Sequence, residues 1–342
     1  MTSRTRARRA RIALSTVGLL LAALVISACG SSDNSSSTGG GGGDTSGGGS
    51  KTIAINEYSR EIPYFQEILK GVNQSAGKLG WKVNASFANN DPKQQIDQIQ
   101  NAVTTQPDGM IVIPIDENAI IPPIQQAKSA GVPVMTMGDN LGPAGQDAQL
   151  GFIGVDYTTM GAQKAQYIVD QLHGKGNVGF IHGIRGLNFT ERHDKGAMAV
   201  FAKNPGIKVF DGGFTGAFTS DAGLKQTENL LTRQSNLQAI YNDNDDIALG
   251  GIQALKERNI DPSKVLVVGT DGGPAALKAV QAGDLDYTIS LCGFAQGKQV
   301  IGILQQYLVN KKTPPKITIT KTLTFTPQNY PQNIKLVNSG QC

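Results

Sequence analysis

Histidine, cysteine and tryptophan are scarce in this chain: three, three and one in 342 residues. The histidines, His173, His182 and His193, include no i, i+4 pair and no H-E-x-x-H, so the usual helical zinc site is excluded and no metal is expected. Neither G-x-x-x-x-G-K-[ST] nor G-x-S-x-G occurs, which removes the phosphate-cradling loop and the nucleophile elbow. Gly174-Lys175-Gly176-Asn177-Val178-Gly179 spells G-x-G-x-x-G. It leaves a helical stretch and enters a strand, the reverse of a dinucleotide fingerprint, and is read as a turn. No cofactor is expected, and no spacing assembles nucleophile, base and orienter, so nothing points to an enzyme.

Acidic residues are missing before Cys29, where Arg4, Arg6, Arg8, Arg9 and Arg11 stand. Taking those five from 31 basic residues leaves 26 against 27 acidic, so the formal charge of +4 belongs to the N-terminal stretch. The near-neutral remainder has no electrostatic footprint for nucleic acid. The apolar run at 12–26 is shorter than the roughly 20 residues of a membrane span and ends in Ser27 and Ala28. Basic start, apolar run and small residues form the layout of a secretory signal over 1–28. Ile26-Ser27-Ala28-Cys29 resembles the bacterial lipobox, which implies cleavage before Cys29 and acylation of it. The expectation is an exported protein, lipid-anchored on the outer face of the cytoplasmic membrane. Cys292 and Cys342 are then an even pair in an oxidising compartment, either a disulfide or two separate thiols.

Residues 30–50 are Gly, Ser and Thr with two Asp and one Asn. Such a stretch has no apolar periodicity with which to build a core, so 29–50 reads as a flexible tether. From Lys51 short apolar runs alternate with helical stretches. The strand candidates are 52–55, 82–87, 109–113, 133–137 and 151–155, then 177–181, 207–211, 238–241, 264–269 and 287–291. Helical stretches include 64–79, 93–104, 161–172 and 247–258. Such alternation predicts an α/β fold with parallel sheets and helices on both faces, the strands apolar throughout because both faces are buried. Two series of strands predict two doubly wound lobes.

Ligands of open α/β sheets gather at the carboxyl ends of strands. Asn242-Asp243-Asn244-Asp245-Asp246 sits at such an end, where Asp245 can cap the next helix while Asn244 faces a ligand. Val268-Gly269-Thr270-Asp271-Gly272-Gly273-Pro274 repeats the pattern. There Asp271 either caps a helix or accepts hydrogen bonds from vicinal hydroxyls. Pro63-Tyr64-Phe65 and Phe218 follow other strands and can supply flat walls for sugar C–H faces.

Taken in order, these residues resemble the periplasmic ribose-binding protein family, the type I solute-binding proteins of ABC importers. The resemblance spans about 51–326 and rests on the Asn242–Asp245 and Val268–Gly272 segments, on Leu79-Gly80 with Pro63-Tyr64-Phe65, and on Gly131-Val132-Pro133-Val134. It implies that Phe65, Phe218, Asn244 and Asp271 contact ligand, with Tyr58 and Tyr64 in the same first-lobe site. Where that family carries an Asp-Arg pair, this chain has Gly138-Asp139-Asn140. At a second arginine position stands His193, with Arg192 beside it, and Leu291 replaces a hinge glutamine. Polyol chemistry remains, with ribose itself in question. The resemblance also implies three interlobe crossings, near Val155, Leu291 and Leu323, which define lobes of 51–155 plus 292–322 and of 156–291 plus 323–342. The expected partners are a monosaccharide or sugar alcohol and the permease subunits of an ABC importer, with the protein itself a monomer. A sensor subunit that presents ligand to a membrane receptor, and a binder of a non-sugar polar molecule, are the alternatives. A LacI-type regulator is disfavoured by an export signal where a helix-turn-helix would stand.

Replacing Cys29 by alanine removes the only thiol that this reading acylates. Cys29→Ala is expected to abolish lipid incorporation and release the protein from membranes, measured by mass spectrometry of the membrane fraction. An unacylated wild-type protein would overturn it.

Overall fold

The computed structural model of the chain describes residues 49–342. The export signal, Cys29 and nearly all of the tether lie outside the described residues. The first lobe opens with β1 (Thr52–Glu57), α1 (Pro63–Lys78), β2 (Lys82–Phe87), α2 (Pro92–Thr104), β3 (Gly109–Val112), α3 (Ile121–Ser129), β4 (Val134–Met137) and β5 (Gly151–Gly154). The second contains α4 (Tyr157–Gln171), β6 (Gly176–His182), α5 (Asn188–Phe201), β7 (Ile207–Phe214), α6 (Ser220–Arg233), β8 (Ala239–Asn242), α7 (Asp245–Glu257), β9 (Leu266–Val268), α8 (Pro274–Ala282) and β10 (Thr288–Ser290). The chain then returns through α9 (Gly293–Leu308) and β11 (Ile317–Ile319) before ending with β12 (Leu323–Phe325) and α10 (Tyr330–Asn338).

The first sheet has the order β11-β5-β4-β3-β1-β2, parallel throughout. The second runs β7-β6-β8-β9 and is extended by parallel bridges from Val268 to Tyr287 and from Asp271 to Ser290. These bring in β10, with β12 antiparallel beside it. The fold is the expected pair of doubly wound lobes. The chain passes between the sheets after β5, after β10 and between β11 and β12, which gives the three-stranded hinge.

The central strands β3, β4, β5 and β8 are buried residue by residue, as apolar runs covered on both faces must be. β2 departs from that expectation: Lys82, Asn84 and Ala85 are exposed. It is an edge strand, with only β1 beside it, and an edge tolerates and benefits from polar side chains. Asp91 caps α2 by accepting from the amides of Lys93 and Gln94 at 2.8 and 3.1 Å, with Pro92 in the first turn. α4 begins at Tyr157, four residues before the expected start, because Asp156 caps it by accepting from the amides of Thr158 and Thr159.

Helices on each lobe pack at backbone distance. A Cβ built on Gly196 of α5 would fall 2.0 Å from the carbonyl oxygen of Thr158 on α4, and one on Gly161 2.1 Å from that of His193. Gly223 and Gly250 do the same for α6 and α7, and Gly71 and Gly297 for α1 and α9. Glycine at these crossings is therefore a requirement of packing.

Cys292, at the second crossing, is joined by a disulfide to the terminal Cys342 across a separation of 50 residues. It ties the tail after α10, a helix with no buried residue, to the hinge. Closing a loop of that length restricts the unfolded chain, so the Cys292→Ser/Cys342→Ser double variant is expected to lose about 2–4 kcal/mol of stability. Urea unfolding measures this, and a loss below about 0.5 kcal/mol would show that the link does not stabilise the fold.

Candidate functional site

Strand carboxyl ends from both sheets converge on one cleft. Its cavity has a volume of about 60 Å³. From the first lobe come Tyr58 after β1, Ile62, Tyr64 and Phe65 at the start of α1, Ile113–Ile115 after β3, and Gly138 and Asp139 after β4. The second supplies Tyr157 at the start of α4, Leu187, Asn188 and Phe189 at the start of α5, Phe218 before α6, Asn244 after β8 and Asp271 after β9. Leu291, at the second crossing, completes the lining.

Seven residues singled out from the sequence thus share one cavity: Tyr58, Tyr64, Phe65, Asp139, Phe218, Asn244 and Asp271. Asn140, Arg192 and His193 do not line it. The Asn140 amide oxygen accepts from Nε2 of Gln149 at 2.8 Å. Arg192, on the second lobe, lies 3.7 Å from Glu117 of the first. His193 is fully buried behind the wall, its ring 4.3 Å from that of Phe189 and 5.5 Å from that of Tyr157. Tyr157, Asn188 and Phe189 were not anticipated. All three follow strand-to-helix junctions, the same positional signal that exposed Phe218, and the late placement of the α4 start concealed the first of them.

The aromatic walls are rigid. Tyr58 stacks on Phe65 at 5.4 Å, and the Tyr64 hydroxyl donates to Gln296 at 2.9 Å. Across the cleft Phe189 meets Tyr157 and Phe218 edge-on at 5.0 and 5.4 Å.

The polar floor reverses one expected assignment. Asn244, not Asp245, is the cap of α7: its Oδ1 accepts from the amide of Ile247 at 3.0 Å. Its Nδ2 is left to face Asp271 Oδ2, at 3.3 Å. Asp245 points away from the cavity and accepts from the amides of Gly272 and Gly273 at 2.7 and 3.3 Å and from the Thr288 hydroxyl at 2.7 Å. It therefore fixes the loop that carries Asp271. Asp271 caps nothing, since α8 is capped at Gly273 without a side-chain bond. Its φ of 121° is a strained value for a non-glycine residue. Beneath the floor, the buried Lys164 donates to the carbonyls of Asn242 and Asp243 at 2.8 and 3.0 Å.

Burial dominates the electrostatics. It raises Asp139 to about 7 against a smaller opposing pull from Arg192. Burial, with Asp245 and Asp246 nearby, holds Asp271 well above the usual carboxylate range. The same desolvation lifts Glu57, on β1, to about 8, and both of its carboxyl oxygens are buried without a partner. Each of these acids binds its proton more tightly folded than unfolded, so its ionisation destabilises the fold as pH climbs toward its folded value. His182, raised by its hydrogen bond to Asp194 although burial opposes this, acts in the same direction, because its stabilising charge is lost as pH rises. His193, held well below its usual value by burial, opposes them only below about pH 6.5, and Lys164, lowered by burial to about 8, opposes them near pH 8 as one group against these several. Melting temperature without ligand is accordingly expected to rise as pH falls from about 8 to about 6.5. Glu57→Gln should flatten that slope, and calorimetry showing a wild-type slope in the variant would refute the assignment.

Comparison with known proteins agrees with this fold. Residues 53–312 match the family described as periplasmic binding protein domain. The ribose import binding protein RbsB of Bacillus subtilis is 28% identical over 74% of this chain and 78% of its own length. The D-allose-binding periplasmic protein of Escherichia coli is 30% identical over 67% and 75%. Among solved structures, that of a periplasmic ribose ABC transporter protein from Conexibacter woesei superposes with a TM-score of 0.76, at 39% identity over 86% of this chain and 97% of that one.

Proposed function

Because the chain belongs to the periplasmic binding protein family, we propose that it captures one small polyhydroxylated molecule, a monosaccharide or sugar alcohol, and delivers it to an ABC importer. The observation that carries this reading is the cavity itself, in which aromatic walls from both lobes face two carboxyls and two carboxamides. Ring faces cover sugar C–H surfaces, and Asp139, Asp271 and Asn244 accept from or donate to hydroxyls. Three flexible crossings let the lobes close on the ligand. Closure excludes water and strengthens each hydrogen bond, and the importer's permease subunits read the closed shape. The reading is of binding without turnover by a monomer. Lobes of 51–155 plus 292–322 and 156–291 plus 323–342 are the moving bodies. The family acts outside the cytoplasm, and Ile26-Ser27-Ala28-Cys29 supports a lipid anchor there. Among the described residues no helix is long and apolar enough to cross a membrane.

Asn140, Arg192 and His193 enter this reading differently from the seven cavity residues. Arg192 with Glu117 links the lobes at the cleft, Asn140 steadies the turn that carries Asp139, and His193 backs the Phe189 wall.

Asp271→Ala is expected to weaken binding by about 1.5–3 kcal/mol, the scale of a hydrogen bond to a charged group, or roughly ten- to hundred-fold. The melting temperature should hold or rise, because the change removes a buried, strained carboxylate that caps no helix. Calorimetric titration with a sugar or polyol found by thermal-shift screening tests this, and unchanged affinity would displace the site from this cavity.

A further inference from the structure

The cavity is acidic without a counter-charge of its own. Asp139 and Asp271 both line it, and among the described residues no lysine, arginine or histidine does. The nearby cations lie outside the lining: Lys164 donates to two backbone carbonyls, and Arg192 pairs with Glu117 and reaches Asp139 only as a pull smaller than the cost of burial. The two acids are not equivalent. Asp271 has Asn244 as a hydrogen-bond partner, whereas Oδ1 of Asp139 is buried with none. An orphaned carboxylate oxygen in a native site calls for an occupant. The surrounding wall is of a kind that favours positive charge, since ring faces attract cations, Tyr58 and Phe65 of the first lobe and Tyr157 of the second line the cavity with Asp139, and both tyrosines are near enough to feel its charge. The hydroxyls of a neutral polyol give these desolvated carboxyls hydrogen bonds but no countercharge, which a cation supplies as well.

We propose that the ligand is a polyhydroxylated amine, an amino sugar or amino alcohol, whose ammonium group sits against Asp139 while its hydroxyls meet Asp271 and Asn244. This rests on the polyol reading above and narrows it. The absence of any lining cation likewise selects against sugar acids and sugar phosphates, because their anionic groups would meet only carboxyls. Burial already disfavours the charged form of Asp139 in the empty cleft, and an ammonium ligand restores that charge on binding.

The experiment is a matched panel titrated calorimetrically into the protein at pH 7 and low salt: glucosamine against glucose, galactosamine against galactose, and 1-amino-1-deoxysorbitol against sorbitol. Exchanging a neutral hydrogen bond for a charge-assisted one is worth about a tenfold gain. At least one amine is therefore expected to bind about tenfold or more tighter than its parent, and Asp139→Asn to bring that ratio to within about twofold. Parents that bind as tightly as their amines overturn the charge assignment and leave the polyol reading standing. A panel in which neither amines nor parents bind overturns both. An undiminished amine preference in folded Asp139→Asn overturns Asp139 as the partner. The wild-type comparison decides the ligand class by itself if that variant does not fold.

Discussion

Strands that run parallel all end on the same side of their sheet, and here two such sheets turn those ends toward each other. This constraint makes the cleft. Each carboxyl end delivers a short loop and then a helix start, so cavity residues arrive in small groups after β1, β3, β4, β8 and β9 and at the starts of α4, α5 and α6. The helices that allow the crossovers must lie close on the sheets. The glycine crossings at Gly71, Gly161, Gly196, Gly223, Gly250 and Gly297 let them do so in pairs. Shape and site thus follow from one directional choice, made once per lobe.

Most of this was legible in the sequence because it depends on local signals. Apolar runs separated by helix-period stretches placed every strand of both sheets up to β10 to within a few residues. Gly80, Gly131 and Gly174 follow the ends of α1, α3 and α4, and all three adopt the left-handed conformation that such ends use. Illegible features depend on contacts distant in the chain. Nothing near Asn244 says that it, and not Asp245, caps α7. That choice is made by Gly272, Gly273 and Thr288, which bind the Asp245 carboxylate from 27 and more residues away. Tyr157 was hidden for a milder reason: an Asp156 cap starts α4 early, so the tyrosine sits at a helix terminus facing the cavity rather than in a hinge strand.

The second-lobe floor shows how a site keeps an unfavourable residue. Asp271 combines a left-handed backbone with a buried acid, two features that each cost stability. It stays in place because its neighbours are fixed independently. Asp245 holds the following amides, parallel bridging to Ser290 holds the backbone, and Asn244 is immobilised by its capping bond before it reaches Asp271. Lys164 supplies the one buried positive charge beneath this acidic cluster. Its bonds to the carbonyls of Asn242 and Asp243 place that charge under the floor and not in the cavity, so it moderates repulsion among the acids without becoming a contact for ligand.

Closure has to work against the same desolvation. Each lobe presents an aromatic wall and one acid, and bringing them together removes water from both carboxyls at once. Without a ligand that step leaves charge or protons to be accommodated, which favours the open cleft. With hydroxyls or an ammonium in place, the carboxyls gain partners as they lose water, and the balance reverses. Two of the three crossings are buried, with Val155 and Leu291 both in the hydrophobic core. The second of them is tied by Cys292 to the chain end, which limits how far that crossing can fray. On the proposed function, the drive to close comes from the cavity, through the difference in how well Asp139 and Asp271 are solvated when empty and partnered when full.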